Sequence, residues 1–541
     1  MDDSTPKERD HRIMRRQERE SNQGDFMTWR TVLATLATVA ALTAPALAQE
    51  SVDGTTIPTA TQISDARGAI WTLRLSDRAV LKDGKETGIA DILEVWYLDH
   101  QVWAFSGTQW SRWSEKWQTS DPITWPQKPP LPTTPGLRLP VGPQTDVSCT
   151  GISVRPGTDL QALVNANPAG TTFCLGIGTY NQQSVRPKNG NVFIGAHDGT
   201  HGAVLDGQSK TAHAFHGTAH HVVIRNLIVK NYTAPTQYGM IQIWGPYTLV
   251  QNNEITGATA GAGVWASSYA LVIANNIHNN AQEGYKVVYD GTASQPAVGA
   301  LFDSNEIAHN NPTHGYWDSG EQGGGKAWNT QNLTFWYNYA HDNGGPGFWT
   351  DFNNIYTIYW FNKSRNDTNG IEHEISFNAS IIGNDLQDMG SQSYQSTCPS
   401  FFFSCAGVAI ENSGGSTGNH AGIIEIAYNV IKPGQYGRAI ALREQNRGAC
   451  RCSYATDPYW IRNVWVHHNT VDVTNGLKNA PMIGAAADTG NQTMFHSRNV
   501  KFDYNDYTGF GTTHFFAWPN WAFYDFAAWK RLGQDAHSTM H

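Results

Sequence analysis

From about residue 150 the chain repeats one pattern: a short apolar run, an asparagine, another apolar residue, a polar turn, a glycine and a second apolar run. Val222-Val223-Ile224-Arg225-Asn226-Leu227-Ile228, Leu271-Val272-Ile273-Ala274-Asn275-Asn276-Ile277, Leu301-Phe302-Asp303-Ser304-Asn305-Glu306-Ile307, Thr334-Phe335-Trp336-Tyr337-Asn338 and Val464-Trp465-Val466-His467-His468-Asn469 are instances. Runs this short, bounded by turn residues, predict strands rather than helices. A unit of this size cannot bury its apolar face alone, so the units are expected to stack into a solenoid of strand-and-turn coils. The asparagine is expected at a coil corner, its side chain bonding local backbone and its φ/ψ left-handed. The shortest coils take about 23 residues, and longer excursions near 290–298, 309–325 and 387–406 would decorate the stack and wall any groove. Before the first coil, Leu160-Gln161-Ala162-Leu163-Val164 follows Asp159 and predicts a short helix closing the exposed end.

The pattern upstream is different. Residues 61–118 hold Trp71, Trp96, Tyr97, Trp103, Trp110, Trp113 and Trp117, with two-residue alternation and an Asp83-Gly84 turn that predict β-hairpins. In so small a unit these rings are expected to form the core; a sugar-stacking module is the functional alternative. Residues 119–147 are rich in proline and predict an extended, semi-stiff linker to the solenoid over 148–541. At the start, residues 1–26 are dense in charge without apolar period. Residues 27–48 combine Arg30, a weakly apolar stretch and Ala46-Leu47-Ala48, which predicts a signal peptide, no stable membrane insertion after its cleavage, and a secreted or periplasmic protein.

Composition agrees: 52 glycines and only 15% charged residues suit many turns and few surface helices. Net charge is −9. Residues 1–48 carry equal numbers of acidic and basic side chains, so cleavage leaves it unchanged. An acidic chain argues against nucleic acid as partner. Six cysteines in an exported chain can pair. Cys149 with Cys174 and Cys398 with Cys405 are the plausible local pairs, Cys450 and Cys452 are less clear, and no Cys/His quartet has zinc spacing.

Over residues 150–535 the chain resembles the right-handed parallel β-helix proteins of the pectate-lyase-like group. The runs carrying the resemblance are Gly347-Phe348-Trp349-Thr350-Asp351, Gly370-Ile371-Glu372-His373-Glu374-Ile375-Ser376, Glu444-Gln445-Asn446-Arg447-Gly448 and the tail from Trp529 to Ser538. The resemblance implies an all-β, right-handed single-stranded parallel β-helix with a small N-terminal aromatic-rich β domain. The group hosts lyases, hydrolases, epimerases and binding proteins. Chondroitinase B and alginate-lyase relatives have a similar Glu-x-Glu-Ile-Ser run whose carboxylates hold calcium. Glu372 and Glu374 match those carboxylates, which makes Ca²⁺ the candidate cofactor. The lysine that follows the run there is absent here, and so is the Gly-His-Gly signature of pectin hydrolases.

Strand side chains alternate between faces, so aligning the Gly-led strands on Tyr285, Gly325, Phe348, Ile371, Val408 and Ile440 as inward positions yields two outward columns. The first reads Lys286, Lys326, Trp349, Glu372, Ala409, Ala441; the second reads Val288, Trp328, Asp351, Glu374, Glu411, Arg443. Asp351, Glu372, Glu374 and Glu411 then form an acidic patch flanked by Lys326 and Arg443, the candidate catalytic residues. Trp265, Lys286, Trp328 and Trp349 are the candidates for holding substrate. His373 falls on the inward parity and is expected in the core, and Glu444 and Arg447 are expected to order the excursion containing Cys450 and Cys452. Clustered carboxylates repel, so at least one should hold its proton unless a cation binds. The expected function is cleavage of a polysaccharide by hydrolysis or elimination; the alternative is a non-catalytic glycan-binding or envelope protein.

Overall fold

Each apolar run of the repeat becomes a short strand that pairs in parallel with the run one coil later, because only stacking neighbours can cover a face this narrow. The computed structural model describes residues 49–541 except 53–54, 58–59, 75–76, 99, 107–109, 120–134, 291–294, 316–321, 401–403, 451, 453–456, 488–496 and 519–521. The charged stretch 1–26, the signal-peptide segment 27–48 and linker residues 120–134 lie outside the described residues. Among those described, sheet 1 holds thirteen strands from Ile152–Val154 to Val500–Asp503 and sheet 2 thirteen from Gly178–Asn181 to Thr539–Met540. Sheet 3 holds twelve, from Phe215–Gly217 to Phe523–Tyr524. Every pairing within them is parallel until Phe523–Tyr524 closes sheet 3 antiparallel. This is a right-handed parallel β-helix. Among the described residues no helix is long and apolar enough to cross a membrane.

Inward residues of successive coils stack like with like. Phe302, Phe335 and Tyr359 lie with ring centroids 5.3 and 5.4 Å apart. Gly325 must be glycine at its inward position: a Cβ there would sit 2.4 Å from the ring of Tyr285, which fills the interior in its place.

The recurring asparagines do more than cap a turn. Asn253, Asn275, Asn305, Asn338, Asn362, Asn384, Asn429, Asn469 and Asn505 form one buried ladder between sheets 1 and 2. Each Nδ2 and backbone N–H donates to the Oδ1 of the next asparagine, as from Asn275 to Asn305 at 3.0 Å, until Asn505 donates instead to Asp535 Oδ1 and Ser538 Oγ. The same Nδ2 also donates to a carbonyl of the coil before, as from Asn275 to Val250 at 2.9 Å. Satisfying buried backbone groups between coils is added to the expected local bond, which Asn275 and Asn469 also make to Ile273 O and His467 O. Nor is the ladder residue left-handed: positive φ falls one residue earlier, on Asn252, Ala274, Ser304, Tyr337, Phe361, Tyr428, His468 and Tyr504. Asn226 belongs to that row, with φ 61°. A second ladder, Asn280, Asn310 and Asn343, ends on the buried Asp367.

The ends are closed. Helix Leu160–Ala166 has Asp159 as N-cap, its carboxylate accepting from Ala162 N at 2.9 Å, and buries Leu160 and Val164. At the other end, helix Phe526–Arg531 buries Trp529 against Phe516. Cys149–Cys174, Cys398–Cys405 and Cys450–Cys452 are all joined.

The aromatic unit is two antiparallel sheets, and it begins earlier than residue 61: Thr56–Ile57 pairs with Glu94–Leu98. Trp71 is its buried centre, whereas Trp96 turns to sheet 1 and meets Trp336 at 4.9 Å. Residues 135–147 are a strap bound to the coil stack, which corrects the expected spacer for this stretch. Proline keeps the chain extended, and the left-handed corners supply outward backbone groups along which it docks. Gly136 N donates to Phe361 O at 2.8 Å, Gly142 N to Ala274 O at 2.9 Å, and Asn226 Nδ2 to Gln144 O at 2.9 Å. Arg138 bridges the parts: it pairs with the buried Asp303 and lies 3.9 Å from the buried Glu94, with its guanidinium over Trp96 and Tyr337.

Candidate active site

Five neighbouring strands of sheet 3 carry the candidate catalytic residues: Gly323–Ala327, Phe348–Asp351, Ile371–Glu374, Ala406–Glu411 and Arg438–Glu444. Their register sets Lys326 beside Trp349, Trp349 beside Glu372, Asp351 beside Glu374, Glu374 beside Glu411 and Glu411 beside Arg443. Adjacent strands are about 4.8 Å apart, so the four carboxylates crowd one patch of the outer face. One oxygen each from Glu372, Glu374 and Glu411 lies within 4.8 Å of the others.

The patch is not a solvated surface. Glu372 is 5% exposed and Glu411 3%, while Asp351 and Glu374 stay partly open. Each carboxylate has its own partner. Lys326 Nζ lies 2.6 Å from Asp351 Oδ2 and 3.9 Å above the Trp349 ring. Arg443 Nη1 is 3.5 Å from Glu411 Oε1, and Gln445, with its amide nitrogen facing Glu411, donates to the same oxygen at 2.9 Å. Asn369 Nδ2 donates to Glu372 Oε2 at 2.6 Å. Arg447 Nη1 lies 3.5 Å from Glu374 Oε1.

Burial raises the Glu372 pKa to about 8, helped by the negative charge of Glu411 and then Asp351, against the Asn369 hydrogen bond. Glu374 is pushed well above the usual carboxylate range, first by burial and then by Asp351, Glu411 and Glu372. Its contact with Arg447 pulls the other way. The upward direction prevails because three carboxylates surround Glu374, whereas the Arg447 side chain is 43% exposed and screened by water. The patch therefore keeps carboxylic acid at neutral pH beside Asp351, which is ion-paired to Lys326. Asp351 Oδ1 is buried and has no hydrogen-bond partner.

The substrate-holding candidates are placed less openly. Trp265 is 4% exposed, donates from Nε1 to Val288 O at 2.9 Å and packs against Tyr238 and Trp244. Lys286 is 2% exposed, bonded to Gln237 and set 5.5 Å from both Trp265 and Trp328. Trp349 lies under Lys326, and of the four Trp328 alone is only half-buried. Inside the coil, His373 Nδ1 meets Thr350 Oγ1 at 2.7 Å, and burial drives its pKa to about 3. It is a neutral core histidine, as its parity predicts. Glu444 pairs with Arg498 and accepts from Ile461 N at 2.8 Å, ordering the excursion as expected, but Arg447 turns instead to the patch. Asn369 and Arg447 are therefore site residues that strand alternation misses, since both lie in turns.

A cavity of about 500 Å³ lined by Arg186, His216, Gln242 and Trp244 opens on earlier coils of the same sheet. Gln242 stands five strands from Glu372 in the same column, roughly 24 Å away at about 4.8 Å per strand. The carboxylate patch, not this cavity, holds the clustered carboxyl groups.

No protein-family model matches the chain, and no curated protein matches it. Solved structures do. The catalytic unit of an α-1,3-glucanase from Streptomyces thermodiastaticus is similar at 12% identity and a TM-score of 0.47, over 69% of this chain and 66% of that one. An A-module of a mannuronan C-5 epimerase from Azotobacter vinelandii is similar at 14% and 0.43, over 70% and 92%. A mannuronic-acid-specific polysaccharide family 6 lyase from human gut microbiota is similar at 11% and 0.39, over 67% and 86%.

Proposed function

We propose that the chain is a secreted or periplasmic enzyme that cleaves a polysaccharide by hydrolysis at the sheet 3 patch. The feature that carries the reading is the pairing of unlike carboxyl groups: Glu374, pushed well above the usual carboxylate range by burial and its acidic neighbours, and Asp351 one strand away, ion-paired to Lys326. Such a pair divides the labour of glycoside hydrolysis. Glu374 gives its proton to the glycosidic oxygen as the C–O bond breaks. Asp351 either attacks the anomeric carbon or takes a proton from the water that does, its side chain remaining 16% exposed at the groove. Lys326 and Trp349 hold Asp351 from the N-terminal side, Arg443 fixes Glu411 from the other, and Trp328 offers a sugar its half-buried ring. Export is supported by the segment 27–48 and by the joined cysteines, which persist in oxidising compartments.

One observation favours a second reading. Glu372, Glu374 and Glu411 gather oxygens as a Ca²⁺ ion requires, and these three residues would hold it. A bound Ca²⁺ would acidify a sugar C–H for elimination, with Lys326 or Arg443 placed to accept or steady charge.

Incubation of the protein with plant, algal and bacterial polysaccharides, with and without chelator, separates the two. Hydrolysis releases reducing ends without unsaturated-uronate absorbance and persists in chelator, whereas elimination produces both signals and stops. A cleaving activity that survives Glu374→Gln refutes the site. Retention of a glycan with no cleavage across the panel would point to a binding protein instead.

A further inference from the structure

On sheet 2, away from the carboxylate patch, two adjacent coils bring together His309, His341 and Asp342, with one donor atom from each within 4.8 Å of the others. The fold fixes their places. His309 and Asp342 occupy equivalent left-handed corners, with φ 54° and 55°, and His309 N donates to His341 O at 3.2 Å. His341 is the outward residue of its strand, in register with Ala308. Neighbouring corners of this row carry asparagine, Asn279 and Asn366, which suit a left-handed backbone. Here the row instead presents an imidazole and a carboxylate one coil apart.

The atoms behind these three are already arranged as an outer shell. His341 Nε2 lies 3.1 Å from Glu306 Oε1, which leaves Nδ1 facing Asp342 Oδ2 at 2.7 Å. Asn366 Nδ2 donates to the other oxygen of Asp342 at 2.9 Å and so fixes its plane. A carboxylate on the far nitrogen of a histidine, and an amide on the far oxygen of a carboxylate, are the supports that metal ligands characteristically have. His309 is exposed at the rim, its ring 5.5 Å from that of His341.

We propose that His309, His341 Nδ1 and Asp342 Oδ2 bind one divalent transition metal, with Zn²⁺ as the fitting ion and water completing the coordination. Two imidazoles and one carboxylate suit zinc, whereas the all-oxygen set on sheet 3 suits calcium, so the two positions would select different ions. Binding displaces the proton shared between His341 Nδ1 and Asp342 to solvent. Because the ligands come from successive coils, the ion would clamp them together. The proposal is independent of the cleavage chemistry.

The test is calorimetric titration of the full chain with Zn²⁺ in saturating Ca²⁺, which occupies any oxygen-only site. His309→Asn is the first variant, since asparagine stands at the same corner in the preceding coil. Glu306→Gln is the second, because it leaves all three ligands in place. Wild type is expected to take up one Zn²⁺ equivalent that His309→Asn loses, and Glu306→Gln is expected to weaken that equivalent about 10-fold. Co²⁺ should report the same site through visible absorption that His309→Asn abolishes. Absence of a Zn²⁺ equivalent in wild type, or uptake unchanged in His309→Asn, overturns the proposal.

Discussion

The outer faces of sheets 1 and 3 answer the same electrostatic problem differently. Over sheet 1, Glu94 of the aromatic unit and Asp303 of the sheet share Arg138, and the odd carboxylate keeps its proton: the Glu94 pKa is raised to about 8, first by burial and then by the charge of Asp303. On sheet 3, four carboxylates share Lys326, Arg443 and Arg447, and again the excess stays protonated on buried glutamate. The charge balance is alike and the access is not. Glu94 and Asp303 side chains are fully covered by the aromatic unit and the strap, whereas those of Asp351 and Glu374 remain 16% and 13% exposed. A proton sealed under a strap holds structure together, and one at an open groove can be handed to a substrate.

The sealed face should be the more damaging to break. Arg138→Ala leaves two buried carboxylates without their cation and is expected to cost about 3–5 kcal/mol in denaturant unfolding. A loss under about 1 kcal/mol would show that water reaches the strap. Next in size is the loss of chemistry at the open face: Glu374→Gln should cut cleavage about 10²–10⁴-fold, read from initial rates of reducing-end release. Its thermal unfolding should be no worse than wild type, since an amide of the same shape replaces a carboxyl group that burial already keeps uncharged.

A pH series sharpens the comparison further. Glu372 binds its proton more tightly folded than unfolded, so the native state carries more protons between about 4.5 and about 8. Stability from this group is therefore complete below the lower value and is lost as pH rises towards the upper, at no more than about 1.4 kcal/mol per pH unit. Glu372→Gln should flatten that slope in unfolding measured across the window, and Glu94→Gln should do the same at the sealed face. The smallest effect is expected from Arg447→Ala, whose exposed pair contributes below about 1 kcal/mol to stability. It should instead raise the pH above which activity declines, by removing a cation that, with Lys326, draws the Glu374 proton off.

Much of the open face was legible in the chain and little of the sealed one. Two-residue alternation and the 23-residue step from Trp349 to Glu372 are enough to stack Lys326, Trp349, Glu372, Asp351 and Glu374 in the observed columns, because strand parity is fixed by backbone geometry, whereas Glu411 and Arg443 lie across longer excursions and join the column only through their inward neighbours Val408 and Ile440. Asn369 and Arg447 reach the patch from turns, where no period applies. Degree of burial was also hidden, since outward on a strand does not say what covers it. Proline density at residues 135–147 signals an extended chain but carries no trace of the coil corners on which it docks. For the asparagines, composition suggested a local corner role, and only stacking reveals that the amide belongs to the next coil.

That amide ladder has a consequence for how such a chain can change. Its rungs are separated by as few as 22 residues, between Asn362 and Asn384, and as many as 45, between Asn384 and Asn429, yet the amide-to-amide hydrogen bond is 3.1 Å in one and 2.9 Å in the other. Loop length is thus uncoupled from the spine, and segments can be gained or trimmed between rungs without disturbing the coils on either side. The groove walls beside sheet 3 are free to diversify while the register that aligns its carboxylates stays put, which makes the spine a chassis on which new specificities can be grafted by exchanging excursions alone.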